Sequence, residues 1–249
     1  MTSSNGDADG VFTQRAGAAM IVTLMRPDRA NSYTQAMLAQ LLEAVQVAEA
    51  DASVRAIVIT GAGERAFCGG ADRTEIANRD WRSVLNLRSA SVFDKLRKTP
   101  IVTIAAINGA AVGGGFELAL SCDLRIALPG ARFWLPEPEF GLLPAAAATR
   151  MLPKLVGALR ARDLILGGAV WNAQQALQAG LLTDMAPDGQ LMACVADWIA
   201  RIERRDADAL MLAKQAIEMS SIGADTQPFD LLAQALLVSR QTDRQNQPK

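Results

Sequence analysis

The sequence predicts a single α/β domain with parallel strands. Short apolar runs rich in β-branched residues alternate with longer segments whose apolar residues recur every three to four positions. Strands that alternate with helices are typical of layered α/β folds. At 249 residues, half of them hydrophobic, the chain is long enough to bury a large core in one domain.

The first half of the chain supplies the predicted sheet. Pro100 ends one helical segment, and Asn108 with Gly109 ends the strand that follows it. We expect strands at 18–24, 54–60, 101–107 and 124–128, and helices at 34–50, 81–98 and 113–121.

The last third of the chain, from Pro144 onward, is predicted to be mostly helical. Such a region would form a lid or a surface between subunits. We expect its helices at 172–179, 189–204, 207–219 and 227–240.

Charge and composition exclude several classes of function. With 25 basic and 26 acidic residues, the chain has no net field that would attract nucleic acid or a membrane. It contains no run of 18 apolar residues that would predict a membrane span. The polar, acidic residues 1–10 are unlike a signal peptide and are expected to form a disordered tail. Three widely spaced cysteines, Cys68, Cys122 and Cys194, favour reduced thiols in the cytoplasm over a disulfide framework or a metal site.

Two glutamates are the candidate catalytic residues. The chain has no histidine, so acid–base chemistry near neutral pH falls mainly to carboxylates. Glu117 lies in an apolar first helical turn, where burial would raise its pKa and suit it to proton transfer. Its alternative role is a partly exposed acid that complements the helix dipole. The second candidate is Glu137 or Glu139, either of which could be an exposed loop carboxylate, and spacing alone does not choose between them.

Glycine-rich segments predict where a ligand approaches the backbone. Gly113 to Gly115 precede a short helix, where bare N–H groups can meet a ligand; the alternative is a tight loop packed on a strand. No Lys-Ser/Thr follows, which excludes a Walker A loop. The segment FCGGAD at 67–72 is also expected to expose a backbone N–H. Cys68 has no histidine to activate it as a nucleophile.

A further segment, GAGERA at 61–66, fits the loose dinucleotide-binding pattern. That pattern requires a helix that begins at its glycines, so that the N-terminus faces the pyrophosphate. Gly69 and Gly70 would break such a helix. We therefore interpret the segment as the end of a strand.

Five segments, taken in order, carry a family resemblance. They are RPDRAN at 26–31, FCGGAD at 67–72, NGAAVGGGFE at 108–117, FWLPE at 133–137 followed by GLLP at 141–144, and NAQQALQAGL at 172–181. Together they resemble the enoyl-CoA hydratase/isomerase (crotonase) superfamily, from about Val11 to about Arg240. The resemblance implies a ClpP-like crotonase fold, with a spiral ββα catalytic core at 11–190 and a helical trimerisation region at 191–249.

The resemblance also implies roles for individual residues. Glu117 and Glu137, rather than Glu139, match the two catalytic glutamates of the hydratases. Ala71 and Gly114 match the residues whose N–H groups form the oxyanion hole. Substrate or coenzyme A contacts are expected at Arg26, Ala30, Gly70, Asp72, Arg73, Gly113, Trp134 and Phe140. No metal or redox cofactor is expected, because coenzyme A is part of the substrate, and the assembly is expected to be a homotrimer or homohexamer.

Departures from the family pattern bear on the acyl group. Trp134 stands where glycine is common, alanines at 145–148 replace a glycine-rich run, and Phe116 adds bulk beside Glu117. We therefore predict a short or flat acyl group and a firmer helix at 145–148. Arg73 replaces an aliphatic residue; it could reach a phosphate or a carboxylated acyl group, but we favour a solvated side chain.

Retention of both glutamates favours a hydratase. Such an enzyme adds water across the 2,3 double bond of a trans-2-enoyl-CoA and gives a 3-hydroxyacyl-CoA. The alternatives are a Δ3-Δ2-enoyl-CoA isomerase, a hydratase–lyase acting on an aromatic acyl-CoA, and a non-catalytic acyl-CoA-binding protein.

Overall fold

The computed structural model describes residues 9–221 and 223–246, the last six of them by backbone alone. The strands are β1 Gly10–Ala16, β2 Ala19–Met25, β3 Ala56–Gly61, β4 Ala66–Cys68, β5 Val102–Ile107, β6 Ala110–Val112, β7 Leu124–Ala127, β8 Arg132–Trp134, β9 Trp171–Asn172 and β10 Asp184–Met185. The helices are α1 Gln35–Ala50, α2 Arg73–Ala77, α3 Trp81–Leu85, α4 Arg88–Lys98, α5 Gly114–Leu120, α6 Ala148–Val156, α7 Ala158–Ile165, α8 Ala173–Gln178, α9 Leu191–Glu203, α10 Ala207–Ser221 and α11 Gln227–Asn246.

The strands form two sheets. The larger has the order β1-β2-β3-β5-β7-β10, with β1 antiparallel to β2 and every other pair parallel. The smaller has the order β4-β6-β8-β9, with β9 antiparallel at its edge. The α/β class with parallel strands is therefore confirmed.

The larger sheet is buried on both faces, which explains the continuous apolar runs of its central strands. On one face, alternate residues such as Val58 and Ile104 pack against Val195 of α9. On the other face, Ile57 and Ile59 pack among the side chains of α1, α4 and α5.

Several elements differ from the sequence-based expectation. The helix expected at 81–98 is two helices, because α3 ends at Asn86, a residue type that favours helix ends, and α4 begins after Leu87. The expected tail lies mainly in residues 1–8, outside the described part, while Gly10 already begins β1. β1 was missed because most of its side chains are exposed and carry no apolar alternation. None of the described helices is long and apolar enough to cross a membrane.

The smaller sheet places the two catalytic candidates at one edge. β6 and β8 are adjacent parallel strands, with Val112 opposite Trp134. α5 follows β6 and carries Glu117, and a 3₁₀ helix, Glu137–Phe140, follows β8. Because the carboxyl ends of parallel strands meet at one edge of a sheet, both carboxyl groups are delivered to the same place.

Candidate active site

Gly113 joins the segments that carry Glu117 and Glu137. Its N–H donates to the Trp134 carbonyl at 2.9 Å, and its carbonyl accepts the N–H of Glu117 at 2.9 Å. A Cβ added to Gly113 would lie 2.5 Å from Oε1 of Glu137, and the residue has a φ of +52°. Only glycine fits this position without strain, because it needs a positive φ and the Glu137 carboxyl occupies the space of a side chain.

Glu117 is a buried carboxylate held by backbone donors. The residue is 4% exposed, and its Oε1 accepts the N–H groups of Ala147 at 2.8 Å and Ala148 at 3.0 Å. Burial raises the pKa of Glu117 above the ordinary value of a carboxyl, while the N–H groups of Ala148 and Ala147 oppose that rise. These donors at the start of α6 favour the ionised form.

The alanine run at 145–148 therefore has a different role from the one expected. α6 begins only at Ala148, so the preceding alanines are not part of a firmer helix. Instead, the backbone N–H groups of Ala147 and Ala148 donate hydrogen bonds to Glu117. No side-chain signal in the sequence marks such a contact, because backbone atoms make it.

Glu137 occupies a different environment from Glu117. Its Oε2 is buried and has no hydrogen-bond partner among the described residues. Burial, with the nearby charge of Glu117, raises the pKa of Glu137 to about 7. Glu139, the alternative that the sequence left open, is exposed. The two carboxyls thus differ in their surroundings: backbone N–H groups oppose the rise in the pKa of Glu117, while the Oε2 of Glu137 has no hydrogen-bond partner among the described residues.

Two backbone segments meet beside this pair. Tyr33 forms a parallel β-bridge to Ala71. The N–H of Tyr33 donates to the carbonyl of Gly70 at 2.8 Å, and the N–H of Asp72 donates to the carbonyl of Tyr33 at 2.9 Å. In such a bridge the N–H of Ala71 points away from Tyr33. Gly114 is the first residue of α5, where an N–H has no helical partner. A Cβ on Gly70 would lie 3.2 Å from the Gly114 nitrogen, so the two segments are in contact.

Tyr33 is a site residue that the sequence analysis did not single out. Its hydroxyl lies against Gly114, where an added Cβ would overlap it. The side chain is 4% exposed and packs edge-on against Phe93 at 5.8 Å. Burial raises the pKa of Tyr33 well above its usual range, so the hydroxyl stays protonated. Tyr33 therefore supports the segment that begins at Gly114.

The loop at 26–31 is held to the same region by side chains. Asn31 is buried and has a φ of +54°. Its Oδ1 accepts the backbone N–H of Arg26 at 3.0 Å, and its Nδ2 donates to the backbone carbonyl of Ala66 at 2.7 Å. The Ala30 carbonyl accepts the N–H of Gly69 at 2.8 Å. The loop thus positions the 67–72 segment.

Arg26 and Asp72, both expected to contact substrate, bond to each other. The Nη1 of Arg26 lies 3.0 Å from the Asp72 carboxylate, and the two side chains are only 10% and 13% exposed. Hydrogen bonds from Thr74 and Arg26 lower the pKa of Asp72 below its usual range. Asp72 also caps α2 through the Thr74 N–H at 2.9 Å. These bonds tie the loop at 26–31 to the start of α2.

The three remaining residues that were expected to contact substrate, Arg73, Trp134 and Phe140, are all at least partly exposed. Arg73 is exposed, as favoured from the sequence, and its guanidinium stands 5.8 Å above the exposed ring of Phe140. Trp134 is half-buried beside the Glu137 segment.

Cys68 is fully buried, and burial raises the pKa of its thiol to about 12, so it is not a reactive thiolate. Among the described residues, no group of histidine, cysteine, aspartate or glutamate side chains could hold a metal ion.

Comparisons with known proteins agree with this architecture. The sequence profile of the enoyl-CoA hydratase/isomerase family matches residues 14–246. The chain is 36% identical over 230 residues to the 2,3-dehydroadipyl-CoA hydratase of Escherichia coli, which covers 90% of each chain. It is 34% identical over 213 residues to the short-chain-enoyl-CoA hydratase of Clostridium acetobutylicum, covering 85% of this chain and 82% of the relative.

Solved structures are similar over the same extent. The enoyl-CoA hydratase of Bacillus anthracis superimposes with a TM-score of 0.85 at 32% identity, covering 92% of this chain and 89% of that one. A Thermobifida fusca protein solved in complex with CoA superimposes with a TM-score of 0.85 at 30% identity, covering 94% and 95%. The fold and the family match define an enzyme of the crotonase superfamily. The chain belongs to the enoyl-CoA hydratase/isomerase family and is an enzyme of the hydro-lyase kind.

Proposed function

We propose that this protein is an enoyl-CoA hydratase that adds water across the 2,3 double bond of a trans-2-enoyl-CoA. The observation that carries the proposal is the contrast between two neighbouring glutamates. Burial raises the pKa of both carboxyls, but two backbone N–H groups oppose the rise at Glu117, whereas the pKa of Glu137 reaches about 7 and its buried Oε2 has no partner among the described residues. One base and one acid in contact with the same substrate are what hydration requires.

The backbone supports the electrostatic part of the reaction. As water adds to Cβ, negative charge builds on the thioester oxygen and an enolate forms. The N–H groups of Ala71 and Gly114 are assigned to that oxygen, because Ala71 points away from its bridge partner and Gly114 begins a helix. Removing one such donor costs on the order of 3 kcal/mol of transition-state stabilisation.

The proton transfers follow from the two environments. Glu117 accepts a proton from the attacking water while the new C–O bond forms at Cβ. Glu137 donates its proton to Cα, which takes up the electron pair of the double bond. The sum is one water added, with its hydroxyl on Cβ and a proton on Cα. A proton must then pass from Glu117 to Glu137 to restore the starting state, and the proximity of the two groups favours this step.

The relatives support the substrate class and the setting. The named substrates of the two relatives are a 2,3-dehydroadipyl-CoA and a short-chain enoyl-CoA, which favours a short acyl group here. The proposed enzyme uses no metal or redox cofactor and works as a homotrimer or homohexamer built through residues 191–249. The three scattered cysteines support a cytoplasmic location.

A direct assay tests the proposal. The protein is mixed with crotonyl-CoA, and the loss of enoyl thioester absorbance is followed while the product is identified by mass spectrometry and chromatography. We expect 3-hydroxybutyryl-CoA from the native protein and almost none from Glu137→Gln. A shifted double bond would favour the isomerase, a released aldehyde the lyase, and CoA binding without turnover the non-catalytic alternative.

A further inference from the structure

Arg79 carries a buried cationic nitrogen that nothing in the described protein satisfies. Its Nη2 is shielded from solvent and has no hydrogen-bond partner among the described residues. Arginine side chains are rarely buried without an anion or several acceptors, because desolvating a charged donor is costly. The Oε2 of Glu137 is in the same unsatisfied condition. A bound substrate is expected to satisfy that oxygen, and the same explanation suits Arg79.

The carboxylates nearest to Arg79 along the chain are already engaged. Glu75 accepts the N–H of Gln35 with both oxygens, at 3.0 and 3.1 Å. Asp80 caps α3 by accepting the Ser83 N–H at 2.7 Å. No ion pair within the described residues includes Arg79, so its Nη2 is a charged donor without an acceptor, which an anionic ligand group would supply.

Arg79 also lies within electrostatic reach of the catalytic centre. Its charge, like that of Glu117, acts on the hydroxyl of Tyr33, and this hydroxyl lies against Gly114. Arg79 and the segment that begins at Gly114 are thus both close to the Tyr33 hydroxyl. A ligand group that meets Arg79 would belong to a molecule whose thioester oxygen is bound at Gly114.

We propose that Arg79 binds a carboxylate at the far end of the acyl group, so that the preferred substrate is an ω-carboxy-trans-2-enoyl-CoA. This inference rests on the proposed hydratase function, because it assigns the acyl end of the same site. A planar guanidinium and a carboxylate form paired, charge-assisted hydrogen bonds, which strengthen where water is excluded. A methyl-ended acyl chain of equal length would leave the buried Nη2 unsatisfied.

Binding of two unreactive thioesters tests the site without turnover. Adipyl-CoA and hexanoyl-CoA have the same chain length and differ in the terminal carboxylate. Calorimetry with the native protein is expected to show at least about tenfold tighter binding of adipyl-CoA, and Arg79→Gln should bring the ratio of the two Kd values close to one. Arg79→Lys keeps the positive charge but loses the paired N–H donors of the guanidinium, and should give an intermediate ratio of the two Kd values.

A matched control separates this site from general charge. Arg82→Gln removes the same charge three residues away, from an exposed side chain that stacks on Trp81, and should preserve the native ratio. Thermal melting of each variant verifies that it is folded. The proposal is overturned if the native protein shows no preference for adipyl-CoA over hexanoyl-CoA, or if that preference survives Arg79→Gln. It is also overturned if Arg79→Gln weakens the binding of both thioesters equally, which would place Arg79 against coenzyme A.

Turnover then separates this inference from the proposed function. Hydration of 2,3-dehydroadipyl-CoA and of trans-2-hexenoyl-CoA is compared in the native protein. If neither is hydrated while adipyl-CoA still binds preferentially through Arg79, the hydratase proposal fails and the carboxylate site stands. If hexenoyl-CoA is hydrated and no preference for the carboxylate exists, the hydratase stands and the carboxylate site fails.

Discussion

Glu117 accepts the backbone N–H of Ala147 at 2.8 Å, across 30 residues of sequence. This bond makes the carboxylate part of the start of α6 as well as of α5. A side chain held in this way loses little further conformational freedom when substrate binds, which is the form of preorganisation that acid–base catalysis needs. It also means that the Glu117 carboxyl cannot rotate toward solvent without leaving two N–H groups unsatisfied.

Conservative replacement of either glutamate should abolish most activity and leave the fold intact. In Glu117→Gln the amide oxygen still accepts the Ala147 and Ala148 N–H groups, so stability should change little. We expect kcat/KM for crotonyl-CoA to fall about 10²- to 10⁴-fold in Glu117→Gln and in Glu137→Gln. Glu139→Gln, which changes an exposed acid two residues away, is the control and should retain native rates. Equal loss in Glu139→Gln would point to a wrong assignment of the second glutamate.

The pH dependence of the reaction should report Glu137. Its pKa is raised to about 7, so the acid form predominates below that pH. The kcat/KM is expected to fall as pH rises through about 7, because Glu137 loses the proton that it must donate. Steady-state rates measured from pH 5.5 to 9 in buffers of constant ionic strength test this, and a rate that instead rises through pH 7 would assign Glu137 as a base.

The same pKa has a consequence for stability. A carboxyl whose pKa is higher in the folded state than in the unfolded state favours folding less as pH rises, since the unfolded chain releases its proton first. Relative to Glu137→Gln, the native protein should lose on the order of 2 kcal/mol between about pH 4.5 and 7 and show no further relative change above that range. Urea unfolding of both proteins at pH 5 and pH 8 measures the difference. An unchanged difference would mean that Glu137 titrates normally.

Gly113→Ala should damage the site through geometry alone. The new Cβ would press on the Glu137 carboxyl and would sit at a φ of +52°, which costs alanine about 1–3 kcal/mol. We expect a lower melting temperature and a fall in kcat of more than tenfold. Gly130→Ala is the matched control, because nothing lies within 4 Å of its added Cβ and its φ is not positive. Native kinetics in Gly113→Ala would show that Glu137 moves aside freely.

The Arg26–Asp72 pair should be coupled in stability and in catalysis. Their atoms are 3.0 Å apart in a mostly buried position, and Asp72 directly follows Ala71. A double-mutant cycle with Arg26→Gln and Asp72→Asn is expected to give a coupling energy of about 1–3 kcal/mol. Either single variant should lower kcat more than it raises KM, because the Ala71 N–H loses its fixed direction.

An exposed pair on the same protein provides the comparison. Arg15 and Asp51 are 3.8 Å apart, and their side chains are 39% and 48% exposed. The equivalent cycle on that pair should show no measurable coupling. Coupling of equal size in the two cycles would indicate a general charge effect and not a supporting contact behind Ala71.

The sequence predicted the parts of the molecule that depend on local pattern. The apolar strands and α1 were found because burial and helical periodicity leave a signal in neighbouring residues. The burial of Glu117 was expected because the residue lies in an apolar first helical turn. The strands β4, β6 and β8 were missed because three residues cannot show alternation.

Contacts between distant segments could not be predicted in this way. The hydrogen bond from Ala147 to Glu117 is donated by a backbone N–H, which almost every residue carries, so the sequence gives no signal for it. Arg26 and Asp72 were expected to face substrate, but whether two charges meet each other or a ligand depends on how the loops pack. Arg79 has an ordinary sequence context, and its unsatisfied nitrogen becomes visible only when its surroundings are known.

The single tyrosine of this chain is a built-in spectroscopic reporter. Tyr33 is the only residue whose ionisation yields tyrosinate absorbance, and its hydroxyl is buried against Gly114. In an alkaline titration the signal should therefore appear as one cooperative step when the structure opens, and not as the gradual curve of a surface phenol. The integrity of the segment that begins at Gly114 can thus be followed in any variant, without substrate and without a label.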